Sequence, residues 1–267
     1  MPTCYTHKKM GIMVYKALPK DTCRLIQKYL PYYLIGLHGP DILFFNPGIG
    51  ENSPASYGRK LHHESFEEFY RNACEVIRNS EDDRQLVYFY GYLCHLFSDY
   101  RIHGALPELD REIGVTHAKM ETELDRCLMK ADGLNPVNYP VMAHMAISPE
   151  IAHYIAPFYL GVSEEQILRS LLCMKASFTF SRSSNRYYRK MVSDIVAFAG
   201  YEEKIPNLIM CPDESQMCLA AMPKLKELFA EAVVEAAAAI ENVTKLIYSA
   251  DNMPYYIAFR LDGQNQT

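Results

Sequence analysis

GYLCHLFSDYRIHG, residues 91–104, places two histidines and an aspartate at steps of four residues within an otherwise apolar and aromatic segment. Four residues are close to one turn of α-helix, so His95, Asp99 and His103 share one face. Burying three such side chains without a common partner would be costly. A divalent cation is the simplest partner that pairs with all three, so the stretch predicts a metal-binding helix.

The rest of the chain carries the same helical periodicity. Apolar residues recur at three- and four-residue spacing, and strand-like alternation is rare. The pattern predicts an all-α protein with helices at about 6–18, 20–37, 64–79, 83–101, 116–130, 149–158, 163–181, 185–198, 214–229 and 231–247. Breakers are expected at 39–41, 46–58, 104–110 and 133–136, with 46–58 as a long loop. We interpret 1–267 as a single α-helical domain and assign no role to the helices of 134–267.

The composition and charge of the chain argue against some classes of protein. Hydrophobic residues make up 49% and charged residues 22%, as in ordinary globular proteins. A net charge of −5 argues against stable nucleic-acid binding, which usually needs a basic face. No apolar run approaches the ~20 residues of a transmembrane helix, and the N-terminus shows no signal-peptide pattern. The eight cysteines form no CxxC pair. We therefore expect a cytoplasmic protein.

A second pair of ligand-type residues follows the first along the chain. His117 and Glu121 lie one helical turn apart in THAKMETELD, residues 116–125. Neutral imidazoles together with carboxylates suit zinc or a similar first-row metal. The two stretches offer more ligands than one tetrahedral ion accepts, so a cluster of ions is expected. Asp99 has two oxygens and can bridge two cations.

These features resemble the zinc-dependent phospholipase C family, whose helical fold is shared with fungal zinc nucleases. The resemblance covers about residues 5–126 and rests on five elements in the family's order. They are the Thr-His of YTHKKMGIMVYKAL, the Gly-x-x-x-Pro-Asp turn of LIGLHGPDILFF, the histidine of LHHESFEEF, the His-x-x-x-Asp with a further His of YGYLCHLFSDYRIHG, and the His-x-x-x-Glu of THAKMETELDR. The resemblance implies a multi-helix bundle of the phospholipase C type.

Carried over residue by residue, the resemblance implies two to three zinc ions. The implied ligands are imidazoles and carboxylates within 7–121: His7, His62, His95, Asp99, His103, His117 and Glu121. His95, Asp99 and a histidine of LHHE would hold the first ion; His62 is favoured over the alternative His63.

The second and third ions use the remaining ligands. His103, His117 and Glu121 would hold the second ion, and His7 would hold the third with Asp99 as the bridge. In secreted family members an N-terminal tryptophan chelates the third ion, but this chain contains no tryptophan. We therefore expect the third site to be the weakest.

The resemblance also implies a reaction. Asp41, in the Pro-Asp turn, would orient or deprotonate the water that attacks a phosphodiester. The substrate would be a phosphate-ester small molecule or a phospholipid head group. Two alternatives remain open: a metal-binding helical protein without catalysis, and an interaction module whose tyrosines, 20 in all, bind a protein partner. The oligomeric state is not readable.

Overall fold

The computed structural model describes residues 4–181, 183, 185, 187–188, 190–191, 210, 213–248 and 254–263. These residues form helices and connecting turns without any strand, so the all-α prediction is confirmed. The α-helices are α1 (Cys4–Ala17), α2 (Lys20–Lys28), α3 (Leu30–Gly36), α4 (Pro54–His63), α5 (Glu67–Arg78), α6 (Arg84–Ile113), α7 (His117–Ala131), α8 (Pro149–Ile155), α9 (Glu164–Ser181) and α10 (Met222–Ile247). Short 3₁₀ turns cover Gly39–Phe45, Ala156–Phe158, Gln216–Ala220 and Tyr255–Ala258.

Helix α6 is the centre of the hydrophobic core. Every residue from Gln85 to Asp99 is buried, as expected for a helix that is apolar on all sides. Helices α3 and α10 make its most extensive contacts, and α1, α5, α7 and α8 also pack against it. The protein therefore surrounds the ligand-bearing stretch with other helices on most of its circumference.

The predicted break at 104–110 is wrong. Helix α6 continues to Ile113 with Pro107 in its interior, and it ends at Gly114, whose φ is +66°. Ile102 and Leu106 remain buried on the inner face of this last part. The burial of these two side chains stabilises the helix by more than the loss of the one backbone hydrogen bond that a proline removes.

The predicted loop at 46–58 is shorter than expected. Helix α4 begins at Pro54, inside that segment. Ser53 precedes it and accepts a hydrogen bond from the Ser56 amide at 3.2 Å, which is an N-terminal cap. Proline at the first helical position is also favourable, because its missing N–H has no helical partner to lose.

Other helix boundaries differ from the sequence pattern in smaller ways. The predicted helix 20–37 is divided at Tyr29 into α2 and α3. The predicted helices 214–229 and 231–247 become one helix, α10, preceded by a 3₁₀ turn. The predicted helix 185–198 lies outside the described residues apart from isolated positions. None of the described helices has both the length and the apolarity that crossing a membrane requires.

Helices α3 and α6 cross with their backbones in contact. A Cβ atom on Gly91 would lie 2.9 Å from the Gly36 Cα and would collide with the Tyr33 carbonyl. A Cβ atom on Gly36 would collide with the Tyr88 carbonyl in the same way. Only glycine at both positions permits this crossing, which sets the distance between α6 and the turn that follows α3.

We predict that Gly91→Ala destabilises the fold by about 3 kcal/mol or more, since backbone atoms cannot move aside as a side chain can. Ser98→Ala is the matched control on the same buried helix. The Ser98 hydroxyl is buried and has no hydrogen-bond partner among the described residues, so its removal should change the free energy of unfolding by less than ~1 kcal/mol. Urea denaturation measures both, and equal effects would contradict the crossing argument.

Candidate metal centre

Helix α6 meets α1 at the buried carboxylate of Asp99. Asp99 is 3% exposed, and three imidazole nitrogens surround it. His95 Nε2 lies 3.2 Å from Oδ2, His103 Nδ1 lies 3.8 Å from Oδ2, and His7 Nε2 of α1 lies 3.3 Å from Oδ1. The one-face geometry expected from the spacing of residues 91–104 is therefore present.

Two further ligand-type side chains come from the 3₁₀ turn after α3 and from α4, which pack against each other. Asp41 lies in the turn and His62 near the end of α4, with His62 Nε2 3.1 Å from Asp41 Oδ1. One ligand atom from each of Asp41, His62, His95 and Asp99 lies within 4.8 Å of the other three. These four buried side chains are called the core cluster below.

The histidines of the site share one hydrogen-bonding pattern. His62, His95 and His103 each direct Nδ1 at a backbone carbonyl oxygen, which can only accept a hydrogen bond, so Nδ1 is the donor. The carbonyls belong to Gly58, Leu37 and Leu261, at 2.7, 3.3 and 2.9 Å respectively. The neutral ring then carries its lone pair on Nε2, which faces a carboxylate. This is the arrangement of metal-ligating histidines.

The carboxylates of the core cluster are held in the charged form. Burial alone would raise the pKa of Asp41, but its hydrogen bond with His62 and the nearby His95 lower the pKa to about 2. Burial likewise opposes the charge on Asp99, yet His103 and His95 hold the pKa of that carboxyl well below its usual range. A lone pair facing a carboxylate at 3.1 Å is stable only with a proton or a cation between the two. Carboxylates and Nε2 lone pairs together form a donor set that fits zinc.

A second pair lies beside the core cluster. His103 Nε2 is 2.7 Å from Glu121 Oε1, and Glu121 is buried. Burial lowers the pKa of His103, but Asp99 and Glu121 outweigh it and raise the pKa to about 9. An imidazole and a carboxylate paired in this way are both side chains that zinc accepts as ligands.

The structure does not bring His117 to this pair. His117 is the first residue of α7, its side chain is 48% exposed, and its Nε2 lies 3.5 Å from Asp110 Oδ2. The i, i+4 spacing does place His117 on the Glu121 face of the helix, but the imidazole turns toward the end of α6 instead. Of the three ligands expected for the second ion, the structure brings together His103 and Glu121.

The choice between the two histidines of LHHE follows from their burial. His62 is 8% exposed and belongs to the core cluster. The His63 side chain is 67% exposed, and its Nδ1 lies 3.0 Å from Asp262 Oδ2. Consecutive residues near the end of a helix point about 100° apart, so only one of the two reaches the cluster. That residue is His62.

His7 owes its position to a contact that the sequence pattern did not reveal. The buried carboxylate of Asp125 on α7 accepts hydrogen bonds from the Tyr5 and Thr6 amides at 3.2 and 2.8 Å and from the Thr6 hydroxyl at 2.7 Å. It thereby satisfies amides in the first turn of α1. The imidazole of His7 then lies 4.3 Å from the His95 ring, centroid to centroid.

The family model for zinc-dependent phospholipase C matches residues 6–167. This range runs from α1 into α9, extends beyond the 5–126 of the motif resemblance, and includes every residue of the core cluster. The chain belongs to the zinc-dependent phospholipase C family. Comparisons with curated proteins and with solved structures gave no significant match.

The adjacent histidines of α4 provide a test of the core cluster. We predict that His62→Ala weakens zinc binding by more than the ~10- to 100-fold that loss of an outer-shell partner causes. His63→Ala removes the same group one residue away and should leave zinc affinity unchanged. Competition with a chromophoric chelator measures both, and a larger loss in His63→Ala would contradict the assignment.

Proposed function

We propose that the protein is a zinc-dependent phosphodiester hydrolase. The observation that carries the proposal is the core cluster, in which two charged carboxylates and two imidazole Nε2 atoms converge in a buried site. Membership of the family supports zinc as the ion. Buried carboxylates need compensating positive charge, which bound cations or protonated partners can supply.

The proposed ligands fall into three groups around Asp99. His62 and His95 would hold zinc together with Asp99, and Asp41 is close enough to take part. His103 and Glu121 would hold a second ion. His7 would hold a third ion together with Asp99.

Zinc bound in this site would lower the pKa of a water molecule and neutralise the charge of a phosphodiester. The contribution of the chain itself lies in Asp41. Asp41 is buried beside His62 and His95, and its carboxylate can accept a hydrogen bond from a water molecule. We propose that Asp41 orients the attacking water.

The proposed substrates are phosphodiesters, either a phosphate-ester small molecule or a phospholipid head group. Family membership supports substrates of this class. The rival proposal is a metal-binding helical protein without catalysis, in which zinc would stabilise only the packing of α1, α4 and α6. The two proposals differ in what Asp41 does once the metal is bound.

Asp41→Asn separates these proposals. We predict that it lowers the hydrolysis of a nitrophenyl phosphodiester by ~10²-fold or more, because the charged acceptor for the water is lost. Its zinc content should hardly change, since the amide oxygen remains. Asp21→Asn is the control, as the Asp21 side chain is 89% exposed, and its activity should equal that of the wild type.

Three results of this experiment have distinct meanings. Loss of activity with retained zinc supports an orienting role. Loss of both activity and zinc makes Asp41 a required ligand and overturns the orienting role. Undetectable hydrolysis by a wild-type protein that holds zinc would favour the non-catalytic proposal.

A further inference from the structure

Residues 254–263, called the C-terminal clamp below, lie beyond the residues that match the family model. The clamp begins with the 3₁₀ turn Tyr255–Ala258 and packs on α6. Tyr256 is 1% exposed, and its ring contacts that of Phe97 at a centroid distance of 5.4 Å. Phe259 stacks on Tyr100 at 3.6 Å with the rings nearly parallel. The clamp thus packs on the helix that carries His95, Asp99 and His103.

Beyond its aromatic contacts, the clamp touches the residues that hold the site. The carbonyl of Leu261 accepts the hydrogen bond from His103 Nδ1 at 2.9 Å. The amide of the next residue, Asp262, donates to the carbonyl of His62 at 3.1 Å. Two consecutive residues of the clamp therefore bond to two proposed zinc ligands that come from different helices.

A close contact between two glycines fixes the position of the clamp along α6. Gly263 has a φ of +72°, and a Cβ atom on it would collide with the backbone of Gly104, the residue after His103. A Cβ atom on Gly104 would lie 3.1 Å from the Gly263 carbonyl oxygen. Any larger residue at 263 must lift the clamp away from the helix, and Leu261 with it.

The hydrogen bond to Leu261 decides which nitrogen of His103 is free. A carbonyl oxygen accepts only a protonated Nδ1, so the lone pair of the neutral ring stays on Nε2, which faces Glu121. Loss of that bond would let the ring rotate and would allow the other tautomer. The Asp262 amide similarly restrains the end of α4, from which the His62 side chain enters the core cluster.

We propose that the C-terminal clamp is a positioning element of the metal site, which orients His103 directly and His62 through the backbone of α4. The inference rests on the proposed function, because it requires that these histidines bind zinc. Leu261 and Asp262 touch no ion themselves and act through the ligands.

The chain offers a matched pair of variants for the test. Gly263 and Gly133 both have a φ of +72°, but a Cβ atom on Gly133 meets no atom within 4 Å. Gly263→Ala and Gly133→Ala therefore impose the same backbone strain, and only the first displaces the clamp. Zinc and cobalt binding to the otherwise unaltered chain is measured at 25 °C, with circular dichroism verifying that each variant is folded.

We expect Gly263→Ala to weaken zinc binding by ~10- to 100-fold, as loss of an outer-shell partner does. The visible spectrum of bound cobalt should change with the altered ligand geometry. Gly133→Ala should match the wild type in both readouts, whatever it does to the melting temperature. Equal zinc affinity and identical cobalt spectra in the two variants would overturn the clamp proposal.

Phe259 supplies a second test that holds even if Gly263→Ala does not fold. Phe259→Ala removes the stacking on Tyr100 and should weaken zinc binding. Phe259→Tyr keeps the ring and should bind zinc with the affinity of the wild type. Wild-type affinity in Phe259→Ala would contradict the proposal. A wild-type protein that binds no zinc would overturn the proposed function and the clamp together, which distinguishes that failure from failure of the clamp alone.

Discussion

The structure depends on the burial of one carboxylate, that of Asp99. A charge this deeply buried requires compensation, and the imidazoles of His7, His95 and His103 lie around it. Because these rings come from α1 and α6, the carboxylate ties the first helix to the central one. Imidazoles and carboxylates concentrated in this way form a donor set that suits zinc.

Close packing around α6 follows from the same constraint. Its crossing with α3 at Gly36 and Gly91 leads the chain directly to the turn that holds Asp41. In that turn Gly39 has a φ of +46°, and a Cβ atom there would collide with the His95 ring. The backbone of this turn therefore passes over the His95 ring and carries Asp41 into the same buried cluster.

The sequence allowed the local part of this account to be predicted. Helical spacing identified the face shared by His95, Asp99 and His103, and motif resemblance selected His62. The sequence could not show that the imidazole of His117 turns to Asp110, because spacing fixes a helical face but not a rotamer. Nor could it reveal the contacts of Asp125 with α1 or of Leu261 with His103. Both join distant segments, and the second uses a backbone carbonyl, which leaves no trace in the sequence.

We propose above all that the buried cluster is a metal centre. Anomalous diffraction at the zinc absorption edge, from crystals of zinc-reconstituted protein, tests it most directly. We expect an anomalous peak enclosed by the Nε2 atoms of His62 and His95 and the carboxylates of Asp41 and Asp99. A bare cluster, with zinc bound only at exposed imidazoles such as those of His63 and His117, would contradict it.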